Sequence, residues 1–247
     1  AKPAKLVAFV HVETTTGACQ PLAEMVSVAK EHGALVAIDC VTSLGGIPLD
    51  IDALGIDAAG SCSQKCLGAP PGLGPITVSP RAMAAVRARA QKPSTWYLDL
   101  ALLFQYWGEE SGTKKRAFHH TAPVASIFGM HEGLRLILEE GLEARWARHR
   151  AAHETLVRGL DRLGLSLFTP EANRCPTINV VSVPPGVDEA AVRKALLELG
   201  VEMGGGLGAL AGKVWRIGVM GYNADRARVE RFVAALEEAL QRVGVKP

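Results

Sequence analysis

Cysteine is scarce in this sequence and does not pair up. The five thiols, Cys19, Cys40, Cys62, Cys66 and Cys175, are odd in number and include no Cys-x-x-Cys spacing. That argues against a disulfide framework and a zinc knuckle, and it fits a reduced, cytoplasmic compartment. Long apolar runs are lacking too: none approaches the roughly 20 residues that would cross a bilayer. The first residues do not read as a secretory leader, and the closing Val-Lys-Pro is no peroxisomal address. Charge of one sign is not concentrated. The net charge is +2, and the densest basic cluster, Lys114-Lys115-Arg116, is short enough to read as solvated loop, so no nucleic-acid partner is expected. No Gly-x-Ser-x-Gly elbow is present, which counts against an α/β-hydrolase. Gly204-Gly205-Gly206-Leu207-Gly208 has no Walker lysine after it and imperfect dinucleotide spacing.

What is present is an alternation of strand-like and helix-like segments, the pattern of a parallel or mixed sheet flanked by helices. Leu6 to Val10 predicts a buried strand that enters directly into the middle of a sheet. Pro21 to His32 predicts a helix with Leu22, Met25, Val26 and Ala29 on one face, and Leu35 to Ile38 the next buried strand. Ala58 to Ser61 and Pro75 to Val78 read as short strands around the turn Gly68-Ala69-Pro70-Pro71-Gly72. Helices are expected over Arg81 to Arg89, from Pro123 through Leu138, and from Gly141 towards Leu163. The aromatic stretch beyond Trp96 reads as irregular. From about residue 165 the character changes to a compact α+β unit. Strands are predicted over Leu165 to Phe168, Thr177 to Val183 and Lys213 to Gly218, with helices over Asp188 to Leu199 and Ala224 to Val243. A domain boundary is therefore expected near residue 150, dividing the chain into 1–150 and 151–247.

Asp39 closes the strand Leu35 to Ile38, where ligands bind in open α/β sheets. An acid emerging from an apolar strand calls for a cationic partner, although taken alone Asp39 also reads as an ordinary cap or turn residue. Lys65 sits among small residues in Ser61-Cys62-Ser63-Gln64-Lys65-Cys66-Leu67-Gly68. A nucleophilic lysine must be deprotonated, by desolvation or by a cationic neighbour; a surface lysine on a loop is the plain alternative. Together, a carboxylate for a ring nitrogen and an amine for a Schiff base suggest a pyridine cofactor.

The segments Ala37-Ile38-Asp39-Cys40-Val41-Thr42-Ser43-Leu44-Gly45-Gly46, Ser63-Gln64-Lys65-Cys66-Leu67-Gly68-Ala69-Pro70-Pro71-Gly72 and Phe118-His119-His120-Thr121 resemble the class V aminotransferases. So does Gly212-Lys213-Val214-Trp215-Arg216-Ile217-Gly218-Val219-Met220-Gly221-Tyr222-Asn223-Ala224. The branch most similar is that of the alanine–glyoxylate and serine–pyruvate aminotransferases. The resemblance implies a fold type I, aspartate aminotransferase-like α/β architecture. Here it would be a partial large domain with a mixed sheet plus a smaller C-terminal α+β domain, acting as a homodimer with pyridoxal 5'-phosphate (PLP). Lys65 would carry the cofactor as a Schiff base and shuttle a proton, and Asp39 would pair with the pyridinium nitrogen. Val41 would pack on the ring, Thr14 would bond the phenolic oxygen, and Gln64 would help hold the phosphate. Arg216, expected just after the apolar strand Val214-Trp215, would bind the substrate carboxylate, a task that suits a bidentate guanidinium; an Arg216 salt bridge is the structural alternative. His119, His120 and Thr121 would reach across a dimer interface towards the partner's phosphate. The Phe118 position, often a tyrosine in related enzymes, here lacks a hydroxyl.

The implied reaction moves an amino group from alanine or serine to glyoxylate or pyruvate, ping-pong through pyridoxamine phosphate. Relatives normally have well over a hundred residues before the strand at Leu6, among them a phosphate-binding loop. Three other readings stay open. One is a ureidoglycine–glyoxylate aminotransferase. A second is a cysteine desulfurase, against which Gln64 before the lysine counts. The third is a non-catalytic fragment serving as an assembly module.

Overall fold

The computed structural model describes residues 3–107 and 117–245. The cluster Lys114-Lys115-Arg116 lies outside them. Two sheets organise the chain. The first follows the order β1 (Leu6–Val10), β2 (Leu35–Asp39), β3 (Ala58–Gly60), β4 (Ile76–Val78). β1, β2 and β3 are parallel, with Val10 opposite Asp39 and Asp39 opposite Gly60, whereas β4 returns antiparallel to β3. The parallel strands are joined through α1 (Leu22–Glu31) and the short α2 (Ile51–Leu54). α1 buries Leu22, Val26 and Ala29 against Val36, Ile38 and Ala59, which places its apolar stripe on one face of the sheet. α2 escaped the sequence reading, yet Asp50 caps it by accepting from Ala53 N and Gly55 ends it in the left-handed region.

α3 (Pro80–Ala88) begins on the Ser79 cap with proline at its first turn. α4 (Leu100–Trp107) corrects the irregular segment expected after Trp96. Its sequence LALLFQYW is apolar nearly throughout, and Asp99 Oδ1 accepts from Ala101 N at its start. α5 (Val124–Glu140) and α6 (Leu142–Arg162) meet at Gly141, whose φ of +79° makes the elbow.

The second sheet is antiparallel, in the order β5 (Ile178–Ser182), β7 (Val214–Gly218), β6 (Gly204–Gly205). α7 (Glu189–Glu198) and α8 (Arg226–Arg242), capped by Asp188 and Asp225, pack on it together with the second half of α6. The core there includes Leu156, Leu160, Leu196, Trp215, Leu236 and Leu240, all essentially inaccessible. The strand expected over Leu165 to Phe168 is corrected. Only Leu167 bridges to Val181, with Ser182 N and Phe168 N bonded across, so it is an escort along β5 and no regular ladder. Residue 150 falls within α6, whose first turns face the loops of the first sheet and whose later turns enter the second core.

Candidate active site

The carboxyl ends of β1, β2 and β3 gather the chemistry-bearing loops. β2 ends on Asp39, whose carbonyl accepts from His11 N at 2.8 Å, stitching the loop after β1 to the end of β2. Asp39 Oδ1 accepts from Val41 N at 2.8 Å, which fixes the rotation of the carboxylate. Asp39 is exposed, and among the described residues its second oxygen has no hydrogen-bond partner. Opposite it stands Gly60, where a Cβ would meet nothing within 4 Å, so the space beside the carboxylate is open.

The loop after β1 is held from below. His11 is buried with Nδ1 2.9 Å from Ser43 Oγ, and burial pushes its pKa down to about 4, so the ring is neutral. Thr42 Oγ1 donates to Val12 O at 2.8 Å. Thr14 lies half-buried in the turn between Val12 and Cys19, which bridge antiparallel. The half-buried Val41 follows Asp39 directly.

Lys65 is half-buried on the connection from β3 to β4. The neck of that connection is closed by Ser61 N to Pro75 O (2.9 Å) and Ser63 N to Leu73 O (3.0 Å). The fully buried Ser63 donates through Oγ to Pro70 O at 2.6 Å. Gly68 N closes the lysine turn onto Lys65 O at 3.0 Å. This turn packs directly on the loop after Asp39: Cys66 Sγ donates to Thr42 O at 3.5 Å, and a Cβ on Gly46 would stand 2.6 Å from Cys66 Sγ. The structure therefore brings Thr14, Asp39, Val41, Gln64 and Lys65 to one end of one sheet, with Gln64 exposed at the rim.

Arg216 and the histidine pair are placed elsewhere. Arg216 stands in the middle of β7, within the strand expected over Lys213 to Gly218, opposite Gly204 on β6 and Val180 on β5. Its Nε donates to Gly205 O at 2.7 Å, leaving both terminal nitrogens for an oxyanion, and the side chain lines a cavity of about 830 Å³ with Met203, Asn223 and Phe232. Neither Asp39 nor Lys65 lines that cavity. Gly204-Gly205-Gly206 is packed backbone, not a phosphate loop: a Cβ on Gly206 would stand 2.0 Å from Leu210 O. His119 is buried, stacked on Trp96 with ring centroids 4.0 Å apart, and its Nδ1 lies 2.8 Å from His120 Nδ1. Trp96, Tyr97 and Trp107 are more than half exposed, so this aromatic group is no core. Among the described residues no hydrogen bond ties His119, His120 or the exposed Thr121 to Asp39 or Lys65.

The sequence reading missed the supports of this site: His11, Ser43, Ser63, and on α6 Arg145, Arg148 and His149. The signal was available for α6. Arg145 and His149 continue the stripe Ala152, Leu156, Leu160 at helical spacing, so two polar residues occupy buried-face positions.

Comparison with known proteins follows the same lines. The sequence model of the family described as Aminotransferase class-V matches residues 1–232. The alanine–glyoxylate aminotransferase of Oryctolagus cuniculus is 43% identical over 96% of this chain and 60% of its own length. Among solved structures, alanine–glyoxylate aminotransferase from Nostoc sp. superposes with a TM-score of 0.91 at 47% identity, over 96% of this chain and 62% of that one. Ureidoglycine–glyoxylate aminotransferase from Bacillus subtilis gives 0.92 at 38%, over 98% and 62%. The chain thus spans about 60% of the length of such relatives. The fold is that of the fold type I aminotransferases, and the chain belongs to the class V aminotransferase family.

Proposed function

We propose that the protein transfers an amino group from a small L-amino acid, alanine or serine, to a small 2-oxo acid, glyoxylate or pyruvate, with PLP as cofactor. The observation that carries this reading is the placement of Asp39 at the end of β2 and of Lys65 on the connection that leaves the adjacent β3, with one carboxylate oxygen held by Val41 N and the other open. That donor set fits the group. An open carboxylate oxygen suits a protonated ring nitrogen, and the glycine opposite leaves room for a ring. PLP, when bound, supplies an electron sink for the pair left as the substrate α-carbon loses its proton.

The chain's own residues do the rest. Asp39 holds the ring nitrogen protonated through its open oxygen. Lys65 Nζ would hold the cofactor and move the substrate α-proton. Val41, Thr14 and Gln64 would hold the cofactor as well, Val41 by packing and Thr14 and Gln64 by hydrogen bonds. Arg216 binds the carboxylate of each substrate in turn through its two terminal nitrogens, the third being tied to Gly205 O. His119 and Thr121 serve the phosphate of a second subunit, so the reading includes a homodimer; the exposed Phe118 beside them supports a covered surface there. Five free thiols support a cytoplasmic setting.

The test is spectroscopic. The protein with PLP is expected to show a visible band that borohydride removes, with the added mass on Lys65. Alanine should bleach the band and glyoxylate restore it. Lys65→Ala should abolish both band and turnover. A Lys65→Ala protein that keeps the band and its turnover would sink the assignment. Faster bleaching by (S)-ureidoglycine than by alanine would move the substrate assignment to the sister activity.

A further inference from the structure

The start of α6 contains a buried cation that touches both loops of the candidate site. Arg145 is only 5% exposed, and each of its guanidinium nitrogens has one partner. Nε donates to Gly45 O at 3.2 Å, Nη2 to Cys66 O at 2.5 Å, and Nη1 to Glu140 Oε2 at 2.7 Å. Gly45 lies on the loop that leaves Asp39, and Cys66 follows Lys65 directly. One side chain thus spans the carbonyls of the two segments whose relative position sets the carboxylate against the amine. The planar fork matters here: three fixed donor directions define a distance between two loops, which a single ammonium could not do.

The neighbouring turn of α6 extends the hold to a third loop. Glu140 neutralises Arg145 and also accepts from Arg148 Nε at 2.5 Å, and Arg148 donates to Gly221 O at 2.9 Å and Ala224 O at 2.6 Å. His149 Nε2 accepts from Gly221 N at 3.1 Å. Gly221, at φ +56°, fits against the lysine turn so closely that a Cβ would lie 3.2 Å from both Lys65 O and Gly68 Cα. The lysine turn is therefore gripped by Arg145 on the Cys66 carbonyl and backed by Gly221 at the Lys65 carbonyl before it.

We infer that Arg145 is a positioning residue for the reaction: it sets the separation of the Asp39 and Lys65 loops and so places the amine over the cofactor ring. This rests on the transaminase reading. Arg145 touches neither substrate nor cofactor; its effect passes through two backbone carbonyls. Removing it leaves both carbonyls without a buried donor, and the loops would relax apart locally, with the second sheet undisturbed.

The test uses Arg145→Met, which keeps the volume and removes all three donors, with Arg145→Lys as the conservative partner. The first readout is amide hydrogen exchange in cofactor-free protein. Gly68 N and Ala69 N, bonded to Lys65 O and Ser63 O, should exchange roughly tenfold or more faster in Arg145→Met, while β5 amides keep their wild-type rates. Arg145→Lys should fall between the two. The second readout is kinetic. Turnover should drop at least about tenfold with the KM for alanine little changed, because Arg216 is untouched. Unchanged exchange at Gly68 and Ala69, or an equal rise at β5, would overturn the inference. Should Arg145→Met not fold, Arg145→Lys decides by the same amides. A wild-type protein without a reducible visible band would defeat the transaminase reading alone, since the exchange measurement needs no cofactor.

Discussion

The sheet of β5, β7 and β6 and the sheet of β1 to β4 differ in what holds them. In the former, Ile178 to Val181 are all buried, as are Val214, Trp215 and Ile217, and three helices close over them. In the latter, Leu6 and Ile76 are about half exposed, and the buried apolar set is smaller. Polar bonds take up the difference. Asp57 accepts from Val36 N, Ser79 Oγ and Arg81, so it ties β2 to the start of α3. His11 with Ser43, and Arg145 with two carbonyls, do the same for the loops. The packed region tolerates little change of volume and holds itself together. The region that carries Asp39 and Lys65 is held by directional bonds, which fix loops that packing alone would leave free to slide.

That contrast can be broken in graded ways. Trp215→Ala attacks the packed side. It removes a fully buried ring whose Nε1 donates to Glu189 O, and a loss of about 3–5 kcal/mol is expected in urea unfolding. Asp57→Ala attacks the bonded side. Val36 N and Arg81 lose their acceptor, and since Arg81 remains half exposed to water, about 2 kcal/mol is expected by the same measurement. If Asp57→Ala costs as much as Trp215→Ala, the division between packing and bonding is wrong.

The smallest effect is one of pH. His11 and His149 are both buried as neutral rings, their pKa pushed down to about 4 from the ordinary 6.5, chiefly by burial. The unfolded chain binds their protons first, so the stability they contribute is complete above about pH 6.5 and is lost as pH falls towards 4. A modest drop in the urea midpoint between about pH 7 and pH 6 is expected. Asp57 and Glu140, held down at about 2 by Arg81 and Arg148 respectively, act only lower. Their contribution is present above the ordinary carboxylate range and disappears as pH approaches 2. A flat midpoint from pH 7 to pH 5 would show the two imidazoles to be charged in the fold.

The same contrast explains what could be read in advance. Strands β2 and β5 and helices α1, α7 and α8 were legible because an apolar period and a cap or glycine mark each of them. The segments that place Asp39 at the end of β2 and Lys65 on the connection after β3 were legible as well. α4 was not, since LALLFQYW is short, apolar nearly throughout and rich in aromatics, which gives little to tell a helix from an irregular run. Leu165 to Phe168 misled because its apolar run is the same whether it makes a full ladder or one bridge. Arg145 left only a partial signal: its place on the stripe with Ala152, Leu156 and Leu160 marks it as buried without naming its partners. Only the third dimension shows the two carbonyls that it bonds.

The connection carrying Lys65 is zipped at its neck, β3 running out and β4 running back, with Ser61 bonded to Pro75 and Ser63 to Leu73. A tethered amine of this kind has an address: its side chain swings on a leash whose backbone anchor the neck holds in place. The local concentration of that amine at the end of the first sheet is then a property of the hairpin, set when the chain folds.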